Sequence, residues 1–399
     1  MQPRGLRTSR GAAASFPMIL TYTLIFCYFL NVLDAMITPD MLKAVQLKHT
    51  TMPTKKPSLQ SSSGPGQSEF EHSFRQSRVE KWVEVLSEFT FKTLVVPLPI
   101  SEAERLIHAH AVYESTRTID DARIQQLMKE FLNVMQSGIE QTIRKISRNQ
   151  YLYGAFVRLS SRSPKDASIH FPEDLRKHYE RSLKAMSSSS RRIDDNSRTL
   201  ALLQASTDIM RFQNAHEVVK ALVVSDRVDE DLKLALKYPS DWTEHLVIRE
   251  WEPIQVDLEF RAFVSHGKLT ALSQYNFAVY SQTINDHADE IQTLIVNFFH
   301  TKVQQRMRKA GYDSYIIDFA LVPAEGTMFQ VKIIEINAFS ETTDAAMFSW
   351  HKERHLLTHG PLEFRYTREP RANVADLFSK PYQAFLHDMK QREANDDQE

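Results

Sequence analysis

The sequence predicts an α+β fold, and three observations carry that expectation. Residues 258–276 and 314–337 each read as a β-hairpin, two apolar-alternating runs around a turn. Between them, residues 286–309 set Ile291, Leu294, Ile295, Phe298, Val303 and Met307 at helical spacing. With 399 residues and 42% hydrophobic side chains, the chain can bury a sizeable core in one large or two ordinary domains. Strand pairs interleaved with helices exclude an all-helical bundle.

From the N-terminus, residues 1–40 form a hydrophobic leader. Phe16 to Leu33 carries no charge and follows Arg4, Arg7 and Arg10, the pattern of a secretory signal or signal anchor. A reading frame that truly starts at Met18 or Met36 explains the same residues. Residues 41–73 are rich in Ser, Pro, Gly and Lys, cannot offset their ordering entropy by burial, and read as a disordered linker. The folded body is expected over 74–366, with a charged, divergent tail over 367–399. Within the body, TLVVPLP (93–99) is a strand stopped by proline. Ser101 opens a helix with Glu102 and Glu104 in its first turn. Residues 121–146 read as a helix striped by Ile124, Leu127, Phe131, Val134 and Ile139. GAFVRLS (154–160) is a strand, MSSSSRR (186–192) a surface loop, and 194–222 largely helical. HLVIREWEPI (245–254) is a strand that runs out at Pro253. In the first hairpin His266-Gly267 makes the turn; Leu258, Phe260, Ala262 and Val264 take one face, Glu259, Arg261 and Phe263 the other. A helix follows Asp344.

Lys+Arg number 49 and Asp+Glu 50, a balance that argues against a nucleic-acid coat. The first 68 residues hold seven basic and two acidic groups, so the leader is basic and the body mildly acidic. A single cysteine, Cys27, excludes an internal disulfide, a thiolate zinc site and a CxxC pair. Ten glycines, none spaced as GxGxxG or GxxxxGK[ST], exclude a Rossmann fingerprint and a Walker-type phosphate loop.

The second hairpin carries the chemistry. Glu335 and Asn337, two apart, share one face of their strand, read as continuing the row Phe329, Val331, Ile333. With the turn centred on Gly326-Thr327, Asp318 falls opposite Glu335. Two carboxylates and an amide oxygen on adjacent strands are hard ligands that suit Mg²⁺. The alternative is that Asp318 and Glu335 pair with Lys or Arg. Arg158, Arg162 and Lys165, set among small hydroxyl residues in RLSSRSPKDA, could cradle phosphate without glycine, or form an exposed basic turn. Arg249 and Arg261 lie on strands, where a buried guanidinium needs an anion; Glu259 beside Arg261 would serve. HKERH (351–355) reads as a solvated helix face, and HAH (108–110) points its two histidines to different sides of a helix.

Taken together, LVIREWEPI…LEFRAFV, KLTALSQYN and IIDF…KIIEINAFSETTDAAMFSW resemble the cell division cycle protein 123 family, and FVRLSSRSPKDA and FKTLVVPLP look like its earlier blocks in the same order. The resemblance implies an ATP-grasp-like fold, with two subdomains and a nucleotide cleft between them, in a monomeric cytoplasmic protein. A retained leader would instead place it in the secretory pathway or on a membrane. By similarity, Asp318, Glu335 and Asn337 hold Mg²⁺. Arg158 and Lys165 reach the ATP phosphates, and the loop from Ser160 to Ala167 closes over them. Arg249, Glu250 and Trp251 form the adenine hinge, while Glu259 positions Arg261 toward the phosphates. The family acts as an assembly chaperone for translation initiation factor 2, binding its gamma subunit and promoting joining of the alpha subunit; the alternative is an ATP-grasp ligase or transferase with an unknown acceptor. Four departures stand out. Arg158 and Lys165 exchange the family's usual Lys and Arg, Glu250 replaces a usual Lys, Asn276 a usual Asp, and the helical 121–146 replaces an acidic linker.

Overall fold

The computed structural model describes residues 75–187, 193–237 and 242–396. The leader, the linker, the proposed start of the body at Phe74 and most of the Ser-rich loop at 186–192 lie outside the described residues. Among the described residues no helix is long and apolar enough to cross a membrane.

Two antiparallel sheets organise the chain. Strands β1 (Thr93–Pro97), β2 (Ala155–Leu159) and β3 (His245–Glu250) form the smaller, in the order β1-β3-β2. Helices α1 (Val79–Trp82), α2 (Ile100–Thr116), α3 (Ala122–Ile146), α4 (Pro172–Ser187), α5 (Asp195–Asp208), α6 (Ala215–Val224) and α7 (Asp226–Ala235) intervene. All of these but α1 pack with the smaller sheet into one core that holds Phe156, Ile248, Phe131, Leu202 and Val219. Helix α3 begins where Asp121 accepts from the Arg123 N–H, an N-cap. Its buried row is Ile124, Met128, Phe131, Met135, Ile139 and Ile143, at intervals of three and four. Val134, expected in that stripe, is exposed, because the buried row runs one position further on, through Met135.

The larger sheet runs β7-β6-β4-β5-β8, from β4 (Glu259–Ser265), β5 (Lys268–Gln274), β6 (Tyr315–Ala324), β7 (Thr327–Ala338) and β8 (Glu363–Arg365); only β5 and β8 are parallel. The β4–β5 turn is His266-Gly267, both with positive φ (50° and 69°), the backbone that a tight hairpin with right-handed strand twist demands. Phe260, Ala262 and Val264 face a second core, with Phe263 on the opposite side, as the alternation predicts. Helices α8 (Gln282–Asp286), α9 (Ala288–Phe298), α10 (Gln304–Lys309) and α11 (Trp350–His359) follow, and α9 and α10 cover that core. The single helix expected over 286–309 is interrupted by a π-helical turn at Phe299–Val303. Its buried residues are Ile291, Ile295, Phe299, Val303 and Met307, each four apart. On a helix of 3.6 residues per turn that row drifts by about 40° per step, and a wider turn winds it back onto the core.

The residues expected as a divergent tail form α12 (Lys380–Asp396), whose Tyr382, Leu386 and Met389 complete the first core. The Tyr382 hydroxyl reaches Ser168 Oγ at 2.9 Å. The fold is α+β, two sheets with interleaved helices, as the sequence predicts.

Candidate functional site

The site forms where β2 and β3 of the small sheet meet β4, β6 and β7 of the large one. Asp318 stands opposite Glu335, as expected, but by another route. The turn is one residue earlier, with Ala324 paired to Thr327, and two bulges restore the pairing: one at the turn, one between Asp318 and Phe319. At the second bulge Ile334 is the extra residue, since Phe319 pairs with Ile333 and Asp318 with Glu335. This corrects the facing. Val331, Ile333 and Ile336 lie in the second core and Ile334 in the first, so the alternation changes phase at the bulge. Glu335 and Asn337 share a face with each other but not with the Phe329-Val331-Ile333 row.

Both carboxylates hold arginines. Arg261, pointing across from β4 where it pairs with Asp318, donates Nε and Nη2 to the two Asp318 oxygens, each at 2.9 Å. Its Nη1 donates to the Asp344 carbonyl, and its guanidinium lies 4.8 Å from the Tyr275 ring centroid. Asn337 Nδ2 donates to Asp318 Oδ2 at 2.9 Å. Arg158 donates Nη1 to Glu335 Oε2 at 2.7 Å and fixes its own chain end through the Leu159 and Ser161 carbonyls. Arg158, Arg261, Asp318 and Glu335 are all buried. Pairing with arginine, the alternative to a metal in the sequence, is thus the arrangement present. Burial pushes the Asp318 carboxyl up from its ordinary range; Arg261 opposes this, Glu335 adds to it, and Lys165 opposes it. Those influences place Asp318, Glu335, Arg261 and Lys165 within one electrostatic neighbourhood. Glu259, two residues before Arg261 on β4, is also buried. Arg158, Arg261 and Lys165 therefore meet Asp318 and Glu335 in a place closed to water.

The segment expected to close as a loop is a packed one. Ser160 Oγ accepts from the His245 N–H, and Ser160 O from the Val79 N–H. Lys165–His170 is a 3₁₀ turn in which Lys165, Ala167 and Ser168 are buried. Arg162 turns away and pairs with Asp231 and Glu230 of α7.

The side chains of the residues expected at an adenine hinge are each engaged within the protein. Arg249 is fully buried; it donates to the Ile334 carbonyl at 2.6 Å and to Thr90 Oγ1 at 2.7 Å, with Phe91 and Trp82 against its plane. Thr90 Oγ1 in turn donates to the Ile333 carbonyl. Arg249 is a strut from the small sheet to the bulge that aims Glu335. Glu250 accepts from the Lys92 N–H and from Arg148, and Trp251 is buried in the first core. Asn276 donates to the Val256 carbonyl. Sequence reasoning missed the Asp344 carbonyl, Tyr275 and Thr90; the signal for Asp344 was its place just beyond the Glu-x-Asn strand.

Comparison with known proteins joins this geometry to a family. Residues 201–388 match D123, a stretch that contains β3 to β8 and most of the site. The solved structure of Cdc123 from Schizosaccharomyces pombe superposes with a TM-score of 0.51 at 20% identity, over 75% of this chain and 98% of that one. Residues 201–388 are thus similar to the D123 family, and the fold is similar to that of Cdc123. The translation initiation factor eIF2 assembly proteins of Danio rerio and Dictyostelium discoideum are 28% identical over 149 residues and 26% identical over 216. Those matches cover 36% and 54% of this chain, and 41% and 46% of the relatives' own length. The chain thus spans under half the length of either.

Proposed function

We propose that the protein is a Mg-ATP-binding assembly factor for eukaryotic translation initiation factor 2 that engages its gamma subunit. The observation that carries the nucleotide half is the paired cluster: two buried carboxylates, each already held by an arginine, with Asn337 and Lys165 beside them. The donor set fits Mg²⁺. Its ligands are hard oxygens on neighbouring strands, and Glu335 raises the Asp318 carboxyl, a repulsion that a cation relieves. Asp318, Glu335 and Asn337 would hold the ion, which when bound supplies a bridge to phosphate oxygens. Arg158 and Arg261 then exchange a carboxylate partner for phosphate, and Lys165 adds a point charge. In that exchange every buried charge keeps a counter-charge, which spares the protein an unpaired ion at any stage. The partner half rests on the relatives' names, eIF2 assembly protein.

Because the carboxylates that would hold the metal also hold the arginines that would meet phosphate, ATP and Mg²⁺ should bind with positive coupling. Calorimetry is expected to show ATP affinity rising by about tenfold or more in Mg²⁺, within the usual range of coupling energies, and Glu335→Gln removing that gain. Equal affinity with and without Mg²⁺ would refute the nucleotide reading. Immobilised gamma subunit should retain the full chain; failure to do so would refute the partner reading separately. Release of ADP or AMP dependent on an added acceptor would favour a ligase instead.

A further inference from the structure

A second cluster lies outside the cleft, where the C-terminal end of α2 meets the first turn of α7. His110 and Glu114 sit one helical turn apart on α2, Asp226 opens α7, and Asp229 follows on its next turn. His110 is 4% exposed. Its Nδ1 lies 2.8 Å from the Val223 carbonyl. A carbonyl oxygen can only accept, so Nδ1 carries a hydrogen and Nε2 is the ring atom turned outward. Nε2 faces Asp226 Oδ1 at 3.5 Å and Asp229 Oδ2 at 3.9 Å, so the imidazole and the carboxylates converge on one point, which a proton on Nε2 or a metal ion would occupy. Asp229 is 8% exposed, and its Oδ1 is buried with no hydrogen-bond partner among the described residues. The nearby cations are engaged at the rim: Lys233 holds Asp229 Oδ2 and Arg117 holds Glu114.

We propose that His110, Glu114 and Asp226 bind a divalent transition metal, zinc by ligand chemistry, with Asp229 beside them. One imidazole and two carboxylates supply nitrogen and oxygen donors of the kinds zinc takes, and three such donors leave a position for water. The Nδ1 bond to a backbone carbonyl is the support that orients a ligating histidine. The three ligand atoms lie within 4.8 Å of one another, and Glu114 and Asp226 are exposed, so rotamer changes close the remaining distance. The histidine points away from its neighbour His108 toward another helix. The site adjoins the cleft: Ser225 Oγ donates to Asp166, the residue after Lys165.

The test is metal uptake by the full-length protein after chelation and dialysis. Zinc is titrated by calorimetry and cobalt by its visible absorption. One equivalent should bind, with the intense bands of tetrahedral cobalt. Glu114→Gln and Asp226→Asn, both at exposed positions, should each weaken uptake by about tenfold or more without moving the melting temperature of the metal-free protein, and His110→Gln should abolish it. No uptake by the wild type, uptake unchanged in Glu114→Gln and Asp226→Asn, or a doubly protonated His110 ring in zinc-saturated protein by NMR would each overturn the proposal.

Discussion

Asp318 and Arg261 show what a buried charge pair demands of single residues. Removing either partner strands the other in a site closed to water. Asp318→Ala should therefore lose about 3–5 kcal/mol of stability, seen as a lower urea midpoint at unchanged slope, while Asp318 and Arg261 replaced together by apolar residues of like volume should lose much less. A midpoint equal to that of the wild type would mean that the pair is not formed. Glu244, bound to Arg78 at 2.7 Å, makes a second demand. Burial lifts its carboxyl to about 7, with Arg78 opposing. Its folded value lies above its unfolded one, so the folded state holds the extra proton between them, and stability falls as pH rises from about 4.5 through 7. The loss approaches about 3 kcal/mol; Glu244→Gln should flatten that slope in denaturation curves taken at several pH values. The chemistry of these side chains was legible in the sequence: oxygen donors at 318, 335 and 337, cations at 158, 165 and 261. Their pairing was not. Arg158 lies 177 positions from Glu335, and Arg249 lies 85 from the carbonyl it holds, so only the closed fold brings them together.

Local chemistry decided which elements could be foreseen. His266-Gly267 announced its hairpin, and the observed φ values agree. Strands defined by alternation appeared where alternation placed them. What alternation hides is a change of phase, and Ile334 is one: an inserted residue leaves no mark in composition but swaps the faces beyond it. The π turn at Phe299–Val303 is partly legible, because a strict four-residue spacing of apolar residues fits no straight α-helix. At the β6–β7 turn Gly326 has φ 78°, and an added Cβ would meet nothing within 4 Å. Gly326→Ala should thus cost backbone strain alone, about 1 kcal/mol, measurable by thermal unfolding. A larger loss would show that the turn makes contacts beyond its own backbone.

Across the whole molecule, the second sheet, the paired helices and the order of blocks were readable from sequence. The role of the C-terminal residues was not, since a short apolar set at Tyr382, Leu386 and Met389 declares itself only against the surface it fills. Arg249 spans the join between the halves, with one nitrogen on a strand of the large sheet and another on the lead-in to the small one. Melting either half breaks at least one of those bonds and uncovers the guanidinium. Heating should accordingly yield one calorimetric peak whose van't Hoff and calorimetric enthalpies coincide, and Arg249→Met should split it in two. A molecule with two cores would thereby keep a single folding fate.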